Sequence, residues 1–281
     1  MTTDPAPEPA TDGDAVFRNF QRHNLTRAAE HFGITIHTPV SFGWRLRTIG
    51  ARATRANDEF WLRVVSEEPE WARGHSWTGN LDANTLIGIA KPRVLDILEW
   101  SEHDWRNQRA ELLTALTGAA CSSTDVLRQP PQVAASWWSA LTASLNLLGA
   151  VRTQRVHADQ DRVTARIHER FGTTVVTKVD TWTTAHGDFH WANLMTPDFA
   201  ILDWELWGTA PSGTDEASLL CHSLLVPETA NRVRATFNHL LDTPTGRIAQ
   251  LYVAARMLRR IDNGDYPELA RPLLEFADSL R

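Results

Sequence analysis

The chain has 281 residues, 42% of them hydrophobic and 22% charged, with 14 prolines and a formal net charge of −6. That length provides for one large domain or two lobes around a buried core, and the composition excludes a disordered, collagenous or disulfide-framework chain. The small acidic excess argues against nucleic acid as the main partner, no apolar run reads as a membrane span or secretory signal, and two cysteines, Cys121 and Cys221, fit a reduced, cytoplasmic protein. In chain order, residues 1–14 (MTTDPAPEPATDGD) lack apolar periodicity and are expected to be a disordered tail. Val16, Phe17, Phe20, Leu25, Ala28 and Ala29 mark one face of a helix over 16–31, stopped near Gly33. The runs ITIHTPV, WRLRTIGARA and EFWLRVV are rich in β-branched and aromatic residues and predict antiparallel strands. A short helix is expected over 77–86. PRVLDILEW and NQRAELLTAL then add two strands about a polar turn at 101–106, for a sheet of about five.

Past Gly118 the pattern becomes helical, with helices predicted over 133–148 and 159–171. Short strands in VVTKVDTW and TPDFAILDW flank the loop AHGDFHWANLM, and three or four helical segments punctuated by prolines fill 215–281. The change of texture near residues 117–123 divides the chain into a sheet-rich lobe, 15–118, and a helix-rich lobe, 119–281.

The chemistry concentrates in His186-Gly187-Asp188-Phe189-His190-Trp191-Ala192-Asn193, followed ten residues later by Asp203 in Ile201-Leu202-Asp203-Trp204-Glu205. Asp188 can accept a proton from a hydroxyl, while the amide oxygen of Asn193 and the carboxylate of Asp203 are hard oxygen ligands of the kind magnesium favours. Together they form a phosphoryl-transfer constellation. His186 and His190 are four residues apart and, with Asp188 or Asp203, also read as zinc ligands, although no third histidine or cysteine follows at the usual spacing. His190 is read as an orienting group beside the base. Trp191, Trp204 and Trp207 crowd the loop as core, lid or substrate platform.

HGDFHWAN with ILDWE resembles the aminoglycoside phosphotransferase and choline kinase-like family, whose catalytic loop reads H-G-D-x-H-x-x-N and is followed by a strand carrying I-D-W/F. The resemblance implies an α+β, bilobal protein kinase-like fold with a mainly helical C-terminal lobe. It implies Asp188 as catalytic base, supported by His190, with Asn193 and Asp203 as magnesium ligands. Asp215 in GTDEAS matches the family's later aspartate and is expected to cap the helix that follows. The stretch NQRAELLTALTG resembles the inter-lobe connection, where backbone amides from Leu113 through Leu116 to Gly118 would hold adenine.

The first lobe departs from the family pattern. Related kinases carry a phosphate-binding lysine on the third strand, but only two of the 28 basic residues here are lysines, Lys91 and Lys178, and neither lies on that strand. Arg63 in EFWLRVV takes the position by alternation; it keeps the charge and adds a planar fork, with a longer reach. Asp82 is the expected ion-pair partner of Arg63, and Lys91 is expected to open the fourth strand. No glycine-rich phosphate loop of either common type is present.

The leading expectation is an ATP- and Mg2+-dependent phosphotransferase acting on a hydroxyl of a small molecule, aminoglycoside-like or another amino or sugar alcohol. An acidic set, Glu205, Asp215, Glu216 and Glu228, is a candidate acceptor pocket. The alternatives are a catalytically silent kinase-like protein that binds a protein partner, and a kinase for Ser or Thr of a biosynthetic precursor peptide.

Overall fold

The computed structural model describes residues 12–281, which form two compact units. One comprises the described residues up to Leu81 together with Pro92–Leu116; the other comprises Asp82–Lys91 and Thr117–Arg281. Most of the expected tail, residues 1–11, lies outside the described residues. Residues 12–14, by contrast, already belong to the first helix, α1 (Asp12–Phe32).

In the N-terminal unit, β1 (Thr35–Ile36), β2 (Ser41–Phe42), β3 (Thr48–Arg55) and β4 (Asp58–Glu67) are followed by α2 (Gly74–Asp82), β5 (Val94–Glu102) and β6 (Arg106–Thr114). They make one antiparallel sheet in the order β1-β3-β4-β6-β5, with β2 also paired to β3, so the sheet has six strands where about five were expected. The alternation in β4 explains its central place. Phe60, Leu62 and Val64 point to one face and are buried against Leu25, Ala28 and Phe32 of α1. Trp61 and Arg63 point to the other. Two predicted runs are shortened. ITIHTPV forms a strand only at Thr35–Ile36, with the His37 N–H still donating to the Arg52 carbonyl at 2.8 Å before Pro39, which has no N–H to donate, and Trp44–Leu46 forms a 3-10 turn with Arg45 and Leu46 at positive φ.

In the C-terminal unit, β7 (Ala119–Ala120), α3 (Ala135–Ala150) and α4 (Gln160–Phe171) lead to β8 (Trp182–Ala185), β9 (Met195–Thr196) and β10 (Gly208–Pro211). The helices α5 (Thr214–His222), α6 (Pro227–Leu241), α7 (Pro244–Asp262) and α8 (Ala270–Asp278) complete it. The Asp159 carboxylate caps α4 by accepting the Arg162 N–H at 2.8 Å, and Thr243 caps α7 by accepting the Gly246 N–H at 2.9 Å, with Pro244 in the first turn. α5 is buried along its whole length, and its side chains pack with Trp137 of α3 and Leu258 of α7 in a single core.

Only the last residue of the predicted strand VVTKVDTW is paired as one. Instead, the Gln160 amide donates to the Thr177 carbonyl at 2.7 Å and accepts the Val179 N–H at 3.0 Å, standing in for a neighbouring strand. Residues 82–91 pack with this unit: Ala83, Leu86 and Ile89 enter its core and the Ala90 carbonyl accepts the Ile201 N–H at 2.9 Å. Lys91 is therefore a buried residue ahead of β5, which begins at Val94.

Candidate active site

Strands β8 and β10 pair from Ala185 with Gly208 to Trp182 with Pro211, and the loop 186–193 leaves the end of β8. Asp215, on the first turn of α5, holds the start of that loop. Its carboxylate accepts the His186 N–H at 2.6 Å and the Gly187 N–H at 3.0 Å. The expected capping role is thus corrected: the N-cap is Gly213, and the Asp215 side chain reaches across to the loop. Burial pushes its pKa up to about 6, although the two backbone donors pull the other way.

The rest of the loop is pinned from several directions. His186 donates from Nε2 to the Leu202 carbonyl at 2.9 Å and takes the Asp188 N–H at Nδ1, so both ring nitrogens are used; burial lowers its pKa to about 4 and keeps it neutral. Gly187 has φ 84°, and a Cβ there would lie 2.4 Å from His157 Nδ1 and 2.8 Å from the Leu206 carbonyl oxygen. Only glycine fits this close approach. Arg256 of α7 donates to the Gly187 carbonyl and to His157 Nε2.

Asp188 keeps 31% of its side chain exposed, and its Oδ2 lies 3.4 Å from His190 Nε2. Burial opposes ionisation of Asp188, but the His190 hydrogen bond and the charges of His190 and Arg256 prevail, holding the carboxyl well below the usual range. For His190, burial works against protonation, while Asp188, Asp125 and Asp203 raise the pKa.

Asn193 donates from Nδ2 to the Asp188 carbonyl at 2.9 Å, which directs the amide oxygen the other way, and its own carbonyl accepts the Leu202 N–H at 2.8 Å. Asp203 follows Leu202 directly, with φ 57°. The bridge between Leu194 and Ile201 and the bond from Leu202 to Asn193 therefore bring the two candidate metal ligands onto adjacent strands of chain. A left-handed aspartate costs backbone energy, as functional turns often do.

An amide oxygen and one carboxylate fit Mg2+, which keeps several waters or phosphate oxygens and needs few protein ligands. They do not fit zinc. Among the described residues no group of three or more His, Cys, Asp or Glu side chains is placed to hold a metal, and His186 is consumed by backbone bonds.

Trp191, Trp204 and Trp207 are core: each is buried, and the indoles of Trp191 and Trp204 donate to Ser223 Oγ and the Ile201 carbonyl. Glu205, Asp215, Glu216 and Glu228 do not form one pocket. Asp215 and Glu216 line a cavity of about 190 Å³ with Thr183, Thr184 and Asn146, whereas Glu228 is exposed on the first turn of α6. A second carboxylate beside His190, after Asp188, is that of Asp125, at 3.7 Å. It accepts the Tyr266 hydroxyl at 2.5 Å and lies 3.7 Å from Arg260. Asp125, Arg256 and Tyr266 carry no local sequence signal, since they come from two distant loops and one helix, α7.

In the N-terminal unit, Arg63 and Leu113 occupy the sheet face opposite α1, on the adjacent strands β4 and β6, where Trp61 pairs with Leu113 and Arg63 with Glu111. Leu116 lies just beyond β6, and its carbonyl accepts from Arg52 at 3.0 Å. Within the N-terminal unit Arg63 Nη1 lies 3.2 Å from Glu111 Oε2, and within the C-terminal unit Asp82 binds Arg155 at 2.6 Å.

No family model and no curated protein matches the sequence. Solved structures do. The crystal structure of aminoglycoside phosphotransferase APH(4)-Ia aligns at a TM-score of 0.61 and 13% identity, over 95% of this chain and 98% of that one. A thermostable mutant of the same enzyme, in ternary complex with ADP and hygromycin B, aligns at 0.62 and 13% over 91% and 97%. Another, bound to AMP-PNP and hygromycin B, gives 0.61 and 13% over the same shares. Sheet order, helical C-terminal unit and these alignments agree: the chain has the protein kinase-like fold of the aminoglycoside phosphotransferases.

Proposed function

We propose that the protein is an ATP- and Mg2+-dependent phosphotransferase that moves the γ-phosphoryl group to a hydroxyl of a small molecule. The observation that carries the reading is the joint placement of Asp188, Asn193 and Asp203: one ionised, partly exposed carboxylate beside two oxygen ligands held on neighbouring chain segments. Asp188 is the base that orients the acceptor hydroxyl and receives its proton. His190 orients that carboxylate, and Asp215 with Arg256 holds the loop so that its position survives substrate binding. Bound magnesium would neutralise phosphate charge, with Asn193 and Asp203 as its protein ligands. Positioning and charge complementarity then supply most of the rate enhancement.

In the N-terminal unit Arg63 is the phosphate ligand in place of lysine, and the segment from Leu113 to Leu116 serves the base. Nucleotide use is supported by the fold, since the APH(4)-Ia structures hold ADP or AMP-PNP. The acceptor is an amino or sugar alcohol, approached by Asp125 and Tyr266 beside His190.

Calorimetric titration of ATP with and without Mg2+, in the wild type and Asp203→Asn, tests the reading. Magnesium-dependent binding that disappears in the variant supports it, and screening of aminoglycoside, amino-alcohol and Ser- or Thr-peptide acceptors follows. An absence of binding at millimolar ATP favours a silent kinase-like protein that serves a protein partner.

A further inference from the structure

Glu216 is a buried carboxylate that the proposed reaction does not use. It is 7% exposed, follows Asp215 on the first turn of α5, and lines with it the cavity of about 190 Å³. Its neighbour is fully engaged: the two Asp215 oxygens accept the N–H groups of His186 and Gly187. Glu216 is not. Among the described residues no other side chain or backbone group bonds to its carboxylate, and the one donor it meets is its own backbone N–H. Burial, followed by the charge of Asp215, pushes its pKa up to about 7, and no basic side chain counters them. A buried carboxylate without a partner costs the fold stability, so a ligand that answers its charge would be held there.

The rest of the lining selects the sign of that ligand. Thr184 and Thr214 each commit the hydroxyl proton to a carbonyl, of Val151 and Pro211, at 2.6 Å. Both residues line the cavity, and toward anything inside it their oxygens can only accept or coordinate. Among the described residues no lysine, arginine or histidine lines it. One free carboxylate with acceptor-only hydroxyls repels an anion and suits a cation that prefers oxygen ligands. A single negative charge is neutralised by a single positive one, whereas a divalent ion would leave a buried excess of its own. The space admits several waters, or one ion with part of its hydration shell. Asn146, which also lines the cavity, is exposed and marks the way in from solvent.

We infer that this cavity is a binding site for a small monovalent cation, held by the Glu216 carboxylate with the hydroxyl oxygens of Thr184 and Thr214. Neither Asn193 nor Asp203 lines it, so it is distinct from the magnesium ligands, and it stands whether or not the phosphotransferase reading does.

The test compares the full chain in NaCl, KCl, NH4Cl and N-methylglucamine chloride at equal ionic strength, wild type beside Glu216→Gln, by thermal denaturation at pH 8.5 and pH 5. In the bulky organic cation at pH 8.5 the Glu216 charge goes unanswered, which sets the reference. At least one small cation should raise the wild-type melting temperature above that reference, by about 3–6 °C when its concentration is about tenfold above its dissociation constant. Glu216→Gln should show no such rise. In the wild type the rise should largely vanish at pH 5, where the carboxyl is protonated and Asp215 is the only other titratable group lining the cavity. The salt that produces the rise identifies the ion. Equal wild-type melting temperatures in all four salts at pH 8.5 overturn the inference, and so does an equal rise in Glu216→Gln, which would place the ion elsewhere. Should the variant fail to fold, the comparison of pH values decides: a rise undiminished at pH 5 refutes a site built on Glu216.

Discussion

The sharpest prediction concerns Gly187, because its consequences follow from sterics whatever the substrate. Gly187→Ala forces a side chain onto φ 84° and places Cβ 2.4 Å from His157 Nδ1, 2.7 Å from His157 Cε1 and 2.8 Å from the Leu206 carbonyl oxygen. His157 cannot swing aside cheaply. It is buried, its Nδ1 donates to Leu206 at 3.0 Å and its Nε2 accepts from Arg256 at 3.0 Å. Backbone strain contributes about 1–2 kcal/mol and overpacking about 1–3 kcal/mol, so a loss of about 2–5 kcal/mol is expected. At roughly 2–4 °C per kcal/mol for a chain of this size, the melting temperature should fall by about 4–20 °C. Because Asp188 is the next residue, a shift of about 1 Å should also lower turnover about a hundredfold. Thermal denaturation followed by circular dichroism, with a coupled phosphotransfer assay, reads both effects. The double variant Gly187→Ala/His157→Ala should be less destabilised than the two single changes summed, since the second removes the atoms that the first strikes. A Gly187→Ala protein that melts within one or two degrees of wild type would refute the steric argument.

Other expectations are more direct. Asp188→Asn should keep the wild-type melting temperature to within a few degrees and lose about a hundredfold to ten-thousandfold in turnover, the range of general base catalysis; near-normal turnover would remove Asp188 as the base. Glu216 is buried on α5, and burial followed by the charge of Asp215 raises its pKa from the ordinary 4.5 to about 7. With the folded value above the unfolded one, its ionisation opposes folding: the penalty is absent below pH about 4.5, grows as pH rises and is complete above pH about 7, at about 3 kcal/mol. Glu216→Gln should therefore raise the melting temperature at pH 8.5 far more than at pH 5, and an equal change at both would contradict the assignment. Gln160→Ala removes the side-chain amide that serves Thr177 and Val179, so hydrogen exchange should quicken at the Val179 amide while β8 stays protected.

Much of the fold was legible because its signals are local. The alternation Phe60, Leu62, Val64 against Trp61, Arg63 marked β4 as a strand with two different faces, and the apolar stripe over 159–171 marked α4. The extended run VVTKVDTW misled for the same reason. β-Branched residues favour an extended backbone, but pairing is decided by what lies alongside, here a glutamine from α4. Asp215 was recognised as a residue of interest, but as a cap, because its place before a helix is visible in sequence and the loop 28 residues earlier is not.

By itself the sequence determined the chemistry on offer: an HGDxHxxN loop with a following aspartate restricts which side chains can bear a base and hard oxygen ligands, and backbone connectivity alone keeps them near one another. Tertiary structure decided what surrounds them. Asp125, Arg256 and Tyr266 reach the loop from distant segments, and Glu111 comes opposite Arg63 because strands β4 and β6 pair in one register. An ion pair depends on distance and burial, and both are properties of the packed chain and not of spacing along it.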